Sequence, residues 1–293
     1  VSILMQCFAI ACIVSIAWVV YGYSLAFKGE GAFIGNLSAL FLSGVGRDSL
    51  SGSIPETVFV MFQMTFAIIT PALVVGAFAE RIKFGAMCLF SLLWFTIVYL
   101  PACHMIWGGG YLAKEGVIDF AGGLVVHLTA GVAALVAALV LGPRKGFPGS
   151  PMPPHNRAMV ITGAAMLWVG WFGFNAGSQL ASDHLTSSVF AVTHFSAAAG
   201  ILGWITMEWI IHRKPTVLGA ATGAIAGLAC ITPAAGFVNL MPAIFIGFSA
   251  GVICFFACTT LPACPIIRVP CNFCSHSPHR LDCLVSSLVS LQL

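Results

Sequence analysis

The sequence predicts an all-α protein that crosses a membrane several times. Its 293 residues are 59% hydrophobic and only 7% charged, and the mean hydropathy is +1.02. A soluble chain would carry about a quarter charged residues. The apolar runs are rich in Ala, Gly and Phe, which favours helices over a barrel of alternating strands. The formal net charge of +3 is too small to indicate a nucleic-acid partner.

The chain divides into eight hydrophobic segments, separated by loops that carry charged residues, Gly and Pro. A helix needs roughly 20 apolar residues to cross a bilayer. We therefore predict about eight spans, at 1–27, 55–79, 84–103, 120–141, 158–180, 188–211, 217–235 and 237–261.

Positive charges on the loops predict the orientation of the chain. The connections at 80–83, 142–157 and 212–215 hold most of the Lys and Arg residues, whereas the alternate connections hold Lys28, Arg47 and Lys114. The positive-inside rule makes the first set cytoplasmic in a multi-pass protein of the cell (inner or plasma) membrane. The cytoplasmic charges are Arg81, Lys83, Arg144, Lys145, Arg157, Arg213 and Lys214.

The fourth segment carries one ionisable residue, His127, in 22 otherwise uncharged positions. Helical spacing would put Gly123 and Gly131 on the same face, leaving clear space on both sides of the ring. A titratable ring inside a span is a functional hypothesis by default, and a histidine hydrogen-bonded to a neighbouring helix is the alternative. Asp119 precedes the run, where its carboxylate could cap the first N–H groups of the helix.

Aromatic and small residues gather near the outward ends of the second, third and fifth segments. Core packing and anchoring at the membrane interface are the ordinary explanations. Together, however, they suggest a site, because an aromatic face attracts a small cation by about 0.5–2 kcal/mol and a hydroxyl can accept an N–H bond. These residues are Phe59, Phe62, Phe66, Trp107, Gly170, Phe174 and Ser178.

Ammonium suits such a site better than sodium or potassium. An apolar span cannot pass a bare cation cheaply, and metal cations need rings of oxygen ligands. Ammonium can release its proton and cross as a neutral amine, and an imidazole such as that of His127 can accept or relay the proton.

Six runs along the chain carry a resemblance to a known family. They read WVVYGYSLAF at 18–27, GAFAER at 76–81, HMIWGGG at 104–110, DFAGGLVVH at 119–127 and GWFGFNAGS at 170–178, with a sixth at 218–233. Over roughly residues 1–258 the chain resembles the Amt/MEP/Rh ammonium transporters, of the bacterial Amt type. The resemblance implies eleven helices in two inverted five-helix halves, assembled as a homotrimer with one pore per subunit.

The resemblance also implies roles for matching residues. Phe66, Trp107 and Ser178 would form the external ammonium recruitment site, with Phe62 beside it. Phe66 and Phe174 would form a stacked gate. Below the gate, His127 would be the first of two pore histidines. Two further residues complete the expected site, with Leu167 lining the pore wall and Asp119 ordering the recruitment site.

The chain departs from the family at both ends. It begins inside an apolar run, so we expect the family's first helix to be missing and 1–260 to be a truncated transporter domain. Residues 261–293 form an atypical tail in which nothing matches the second pore histidine. We expect this tail to be non-native sequence, from a frameshift or a mis-predicted terminus. A zinc site is the alternative for its Cys271, Cys274, His276, His279 and Cys283.

The expected partners are ammonium or ammonia (with methylammonium as an analogue), the lipid bilayer, two further copies of the chain and a cytoplasmic PII-type regulator. We expect no cofactor and no metal, and no enzymatic activity, since no HExxH motif appears. We expect weak or absent transport from the truncated chain itself. The alternative function is an ammonium sensor that binds its ligand without significant flux.

Overall fold

The computed structural model describes residues 2–146 and 154–260, and within these ranges the protein is almost entirely helical. Seven helices are long and apolar enough to cross a membrane, and α7, of 15 residues, is shorter. The predicted all-α polytopic fold is therefore confirmed, with one helix for each hydrophobic segment. The helices are α1 Ser2–Phe27, α2 Glu56–Phe78, α3 84–106, α4 Gly123–Leu141, α5 Arg157–Gln179, α6 His184–His212, α7 Val217–Ile231 and α8 Leu240–Thr260.

The loop between α1 and α2 has regular structure that the sequence did not predict. Strands β1 Leu50–Ser51 and β2 Ile54–Pro55 form a short antiparallel hairpin. Glu56, which begins α2, is buried and ties the loop down. Its carboxylate accepts a hydrogen bond from the Tyr23 hydroxyl at 2.6 Å and an ion-pair bond from Lys28 Nζ at 2.8 Å.

The buried side chains form two large clusters, one in each half of the described chain. Helices α1 to α4 share the first, around Trp18, Phe95 and Tyr99. Helices α5 to α8 share the second, around Trp204 and Leu228. The candidate site lies between the two clusters, so neither half contains it alone.

Helices α6, α7 and α8 pack backbone against backbone, because glycines line their contacts. A Cβ atom on Gly251 would lie 2.3 Å from the carbonyl oxygen of Gly200, and one on Gly247 would lie 2.1 Å from that of Ser196. Small residues permit such close approach in membrane helices. The GxSxG pattern at 247–251 lies in the middle of α8, whereas a hydrolase nucleophile needs a strand-to-helix turn. Helix packing explains its glycines.

Candidate functional site

The carboxylate of Asp119 caps the beginning of α4, as predicted. Its Oδ1 accepts hydrogen bonds from the N–H groups of Gly122 at 2.9 Å and Gly123 at 2.7 Å. Its Oδ2 accepts those of Leu124 at 2.8 Å and Val125 at 3.0 Å. The first N–H groups of a helix have no partner within the helix, so this one buried side chain satisfies the whole first turn.

His127 lies in a π-helical turn, Gly123–Leu128, at the start of α4. Its backbone N–H donates to the carbonyl oxygen of Gly122, five residues earlier, at 3.0 Å. A π turn is wider than an α turn and is frequent at functional sites. Residues four apart therefore do not lie directly above one another here.

The predicted clear space at Gly123 is wrong. A Cβ atom there would lie 2.4 Å from Pro233, which occupies that side of the helix. Only Gly131 leaves its side open, with no atom within 4 Å of a built Cβ. The sequence argument assumed α-helical winding, and the π turn together with a residue from a distant segment changed the outcome.

Two aromatic rings hold the imidazole of His127. Trp171 stacks on it at 5.4 Å between ring centroids and Phe174 at 5.9 Å, with interplanar angles of 25° and 23°. The Nε2 atom is buried and has no hydrogen-bond partner among the described residues. The predicted alternative, a histidine whose ring is satisfied by a neighbouring helix, therefore finds no support at this nitrogen.

Four of the predicted aromatic residues come together around Phe66, and one of them, Phe174, is the ring that stacks on His127. Phe66 is 1% exposed and its ring lies 4.4 Å from that of Phe174. Phe62 meets Phe66 edge to face at 4.9 Å, and Trp107 does so at 5.4 Å. The residues expected to form the gate and the aromatic part of the recruitment site are thus in mutual contact.

Trp107 is fixed by the same residue that caps α4. Its indole Nε1 donates to the backbone carbonyl oxygen of Asp119 at 2.8 Å. The buried ring of His104, one turn earlier, places both nitrogens within hydrogen-bond distance of carbonyl oxygens, of Ala26 at 2.9 Å and of Gly31 at 2.7 Å. The turn that carries Trp107 is therefore held from both sides.

Ser178 lies in the last turn of α5 and is half-buried. Its hydroxyl donates to the carbonyl oxygen of Phe174 at 2.8 Å, which leaves its oxygen lone pairs free to accept a bond. The preceding residue, Gly177, lies against Phe62, since a Cβ there would be 3.1 Å from that ring. This contact places Ser178 at the end of α5 that meets Phe62.

A cavity of about 480 Å³ lies between α2, α4 and α5, next to the tilted ring pair of Phe66 and Phe174. Its lining includes Leu167, the residue expected at the pore wall, and Trp171, which the sequence argument did not single out. Leu167, Trp171 and Phe174 recur at helical spacing, and that spacing was the available signal. His127 is the one titratable residue among those lining it, namely Phe62, Thr65, Ile69, His127, Met166, Leu167, Gly170, Trp171, Gly173 and Phe174.

Within 2–146 and 154–260, no group of three or more His, Cys, Asp or Glu residues is placed to hold a metal. The zinc alternative concerns residues of the 261–293 tail, which lie outside the described residues. The site between α2, α4 and α5 is mostly aromatic and apolar. It has one imidazole, that of His127, and the hydroxyl of Thr65, which donates to the carbonyl oxygen of Phe62 at 2.6 Å.

Comparison with known proteins gives the same picture. The sequence model of the Ammonium Transporter Family matches residues 1–267. An ammonium transporter of Bacillus subtilis is 52% identical over 262 residues, which cover 89% of this chain and 64% of that protein. The crystal structure of Saccharomyces cerevisiae Mep2 superposes with a TM-score of 0.84 at 36% identity, over 97% of this chain and 66% of that one.

A solved structure described as a sensor Amt protein also superposes with a TM-score of 0.84, at 25% identity, over 97% of this chain and 69% of that one. The chain spans less than two thirds of the length of the B. subtilis transporter. Because the family model covers nearly all of it, and the helices and the site have the geometry described above, the chain belongs to the ammonium transporter family.

Proposed function

We propose that the protein moves ammonium across the membrane by recruiting the cation, removing its proton and passing neutral ammonia through an apolar pore. The observation that carries the proposal is the cavity next to Phe66 and Phe174, where the unpartnered Nε2 of His127 belongs to the one titratable lining residue. The membrane-spanning helices and the family membership support it.

Recruitment would take place where Phe62, Phe66, Trp107 and Ser178 meet. Each aromatic face offers a cation about 0.5–2 kcal/mol. The hydroxyl of Ser178 accepts one N–H bond from the ligand. Asp119 does not contact the cation in this proposal; it orders the site through its bond to Trp107 and its cap on α4.

Below this site, Phe66 and Phe174 close the path, since their ring centroids are only 4.4 Å apart. A ligand passes when one ring rotates. The cavity beyond offers nothing to replace the water around a charge, so the proton is left behind while ammonia proceeds. His127 accepts or relays that proton, and Leu167 with Trp171 forms the wall opposite α2.

A second candidate function is an ammonium sensor that binds without significant flux. It is favoured by one observation, the close superposition on a structure described as a sensor Amt protein. Recruitment site and gate would serve either function. Flux distinguishes the two.

The proposal extends to assembly and placement. The protein would be a homotrimer in the cell membrane, with the 80–83, 142–157 and 212–215 loops in the cytoplasm, where a PII-type regulator would dock. Residues 1–260 would be the transport domain and 261–293 a tail outside it.

The test is methylammonium uptake in cells that lack their own ammonium transporters, with His127→Ala as the variant. Relative to whatever uptake the parent chain supports, which we expect to be weak, His127→Ala should lower uptake by roughly a hundredfold, the lower end of what a positioned proton acceptor contributes. His194→Ala is the matched control, because His194 also lies inside a span but packs on Trp168 outside the cavity. It should leave uptake unchanged.

Binding to the purified protein, measured by calorimetry, separates the remaining outcomes. Binding without uptake favours the sensor. If neither binding nor uptake occurs, both functions are contradicted for this chain, and equal uptake by His127→Ala and the parent removes the proposed role of the imidazole.

A further inference from the structure

A second cavity, of about 670 Å³, opens on the outside of the helix bundle between α3 and α4. It shares no lining residue with the cavity beside His127. Its one polar lining residue, Thr129, turns its hydroxyl to the carbonyl oxygen of Val125 at 2.7 Å, so the groove is apolar throughout. Its lining consists of Phe78, Ile82, Phe90, Trp94, Val98, Leu128, Thr129, Val132, Ala133, Val136, Ala137, Val140 and Leu141.

The groove is somewhat longer than one membrane leaflet is deep. On α4 it extends from Leu128 to Leu141, which corresponds to about 20 Å at 1.5 Å per residue. The hydrocarbon core of a bilayer is about 30 Å thick, so one leaflet contributes about 15 Å. A groove of this length matches one extended acyl chain.

One end of the groove is strongly basic. Ile82, which lines it, lies between Arg81 and Lys83, and Leu141 lies shortly before Arg144 and Lys145. Lys83 and Lys145 are exposed, and neither forms an ion pair within the described residues. Two cationic side chains therefore stand at the membrane surface where the groove ends.

The two arginines already have partners, and one of them connects the ends of α2 and α4. Arg81 donates to the carbonyl oxygens of Ala77 and Gly142, bridging the ends of α2 and α4. Arg144 pairs with Glu80. Burial lowers the pKa of Arg81, and the neighbouring Arg144 adds to that effect while Glu80 opposes it. Two arginines face one glutamate here, so Glu80 does not offset the positive charge of this end.

We propose that an anionic phospholipid binds here, with one acyl chain in the groove and its phosphate headgroup at Lys83 and Lys145. Charge complementarity selects an anionic headgroup, since basic residues at a membrane surface attract such lipids. The apolar lining selects a chain of hydrocarbon. The site belongs to the leaflet that meets the 80–83 end, and it does not depend on transport.

Native mass spectrometry of the full chain in detergent tests the proposal, with phosphatidylglycerol and phosphatidylcholine of identical acyl chains as probes. We expect phosphatidylglycerol to bind more tightly. Lys83→Gln with Lys145→Gln should weaken it by about fivefold for each lysine and leave phosphatidylcholine unchanged. Arg213→Gln with Lys214→Gln, on another loop of the same face, removes equal charge and should change neither lipid.

Two further variants test the groove itself. Ala137→Phe fills it and should remove binding of both lipids. A photoreactive benzophenone side chain at Val140, which is 79% exposed, should form adducts with phosphatidylglycerol.

Three results would overturn the proposal. The first is equal affinity of the parent chain for the two lipids. The second is a loss of affinity in the Arg213→Gln, Lys214→Gln control as large as that in the Lys83→Gln, Lys145→Gln variant. The third is adducts at Val140 with a second polypeptide in place of lipid. Since exposed lysines do not support the core, the lysine variants remain informative even if Ala137→Phe fails to fold.

Discussion

Asp119 accepts hydrogen bonds from four consecutive backbone N–H groups, and its own carbonyl oxygen fixes Trp107. Inside a membrane no water replaces a lost partner, so each unsatisfied N–H group is costly. One residue thus satisfies the beginning of α4 and positions an aromatic ring of the proposed recruitment site.

We predict that Asp119→Asn lowers the free energy of unfolding by about 2 kcal/mol or more, because an amide cannot accept all four bonds and buried donors are left unpaired. Thermal unfolding in detergent measures the change. Asp183→Asn is the control. Asp183 caps α6 through the N–H group of Thr186 at 2.9 Å but is exposed, so water can replace its bonds, and equal destabilisation by the two variants would contradict this account.

At the residue scale, the sequence predicted what depends on local position. Asp119 precedes an apolar run, and its cap followed from that position. The contact between Trp171 and His127 could not be predicted in the same way, because it depends on how α5 rotates against α4. The roles of Phe62, Phe66, Trp107, Phe174 and Ser178 remain predictions, although the structure brings most of these side chains into mutual contact.

At the scale of the element, the π turn Gly123–Leu128 determines which neighbours the start of α4 contacts. It carries His127 on its inner side and admits Pro233 against Gly123. Hydropathy predicted that a helix lies here, but it could not predict the winding. The turn forms where the Asp119 carboxylate accepts hydrogen bonds from the backbone and where Pro233, more than a hundred residues further along the chain, packs against Gly123.

We predict that Gly123→Ala destabilises the protein by about 1–3 kcal/mol, because the added methyl group would overlap Pro233. Gly131→Ala is the matched control, on the same helix with no atom within 4 Å. It should be neutral or slightly stabilising, since Ala favours a helix over Gly by up to about 1 kcal/mol. Unfolding curves of the two variants in detergent measure the difference in stability. A larger loss of unfolding free energy from Gly131→Ala than from Gly123→Ala would refute the packing argument.

At the scale of the whole molecule, the site exists only because the two halves meet. The cavity takes α2 and α4 from the first buried cluster and α5 from the second. Composition and periodicity predicted eight helices, and the structure has one for each segment. They did not predict which helices adjoin, because that arrangement depends on contacts such as those of the glycines in α6, α7 and α8.

Orientation is also a property of the whole molecule, and we predict that Lys83 faces the cytoplasm and Lys114 the exterior. In intact cells, a membrane-impermeant maleimide should label Lys114→Cys, whereas Lys83→Cys should react only after permeabilisation. The parent chain, with its native cysteines, gives the background. The reverse pattern would invert the proposed topology and move the proposed lipid site to the opposite leaflet.

The cap on α4 affects the electrostatic potential at the proposed recruitment site. The aligned peptide dipoles of a helix place about half a positive charge at its N-terminus, and this end of α4 lies beside Trp107, where it would repel an arriving cation. The full negative charge of Asp119 lies directly on that end and reverses its sign. Because all four of its hydrogen bonds are to the backbone, the carboxylate would, under the proposed function, attract a cation from a distance without binding it directly.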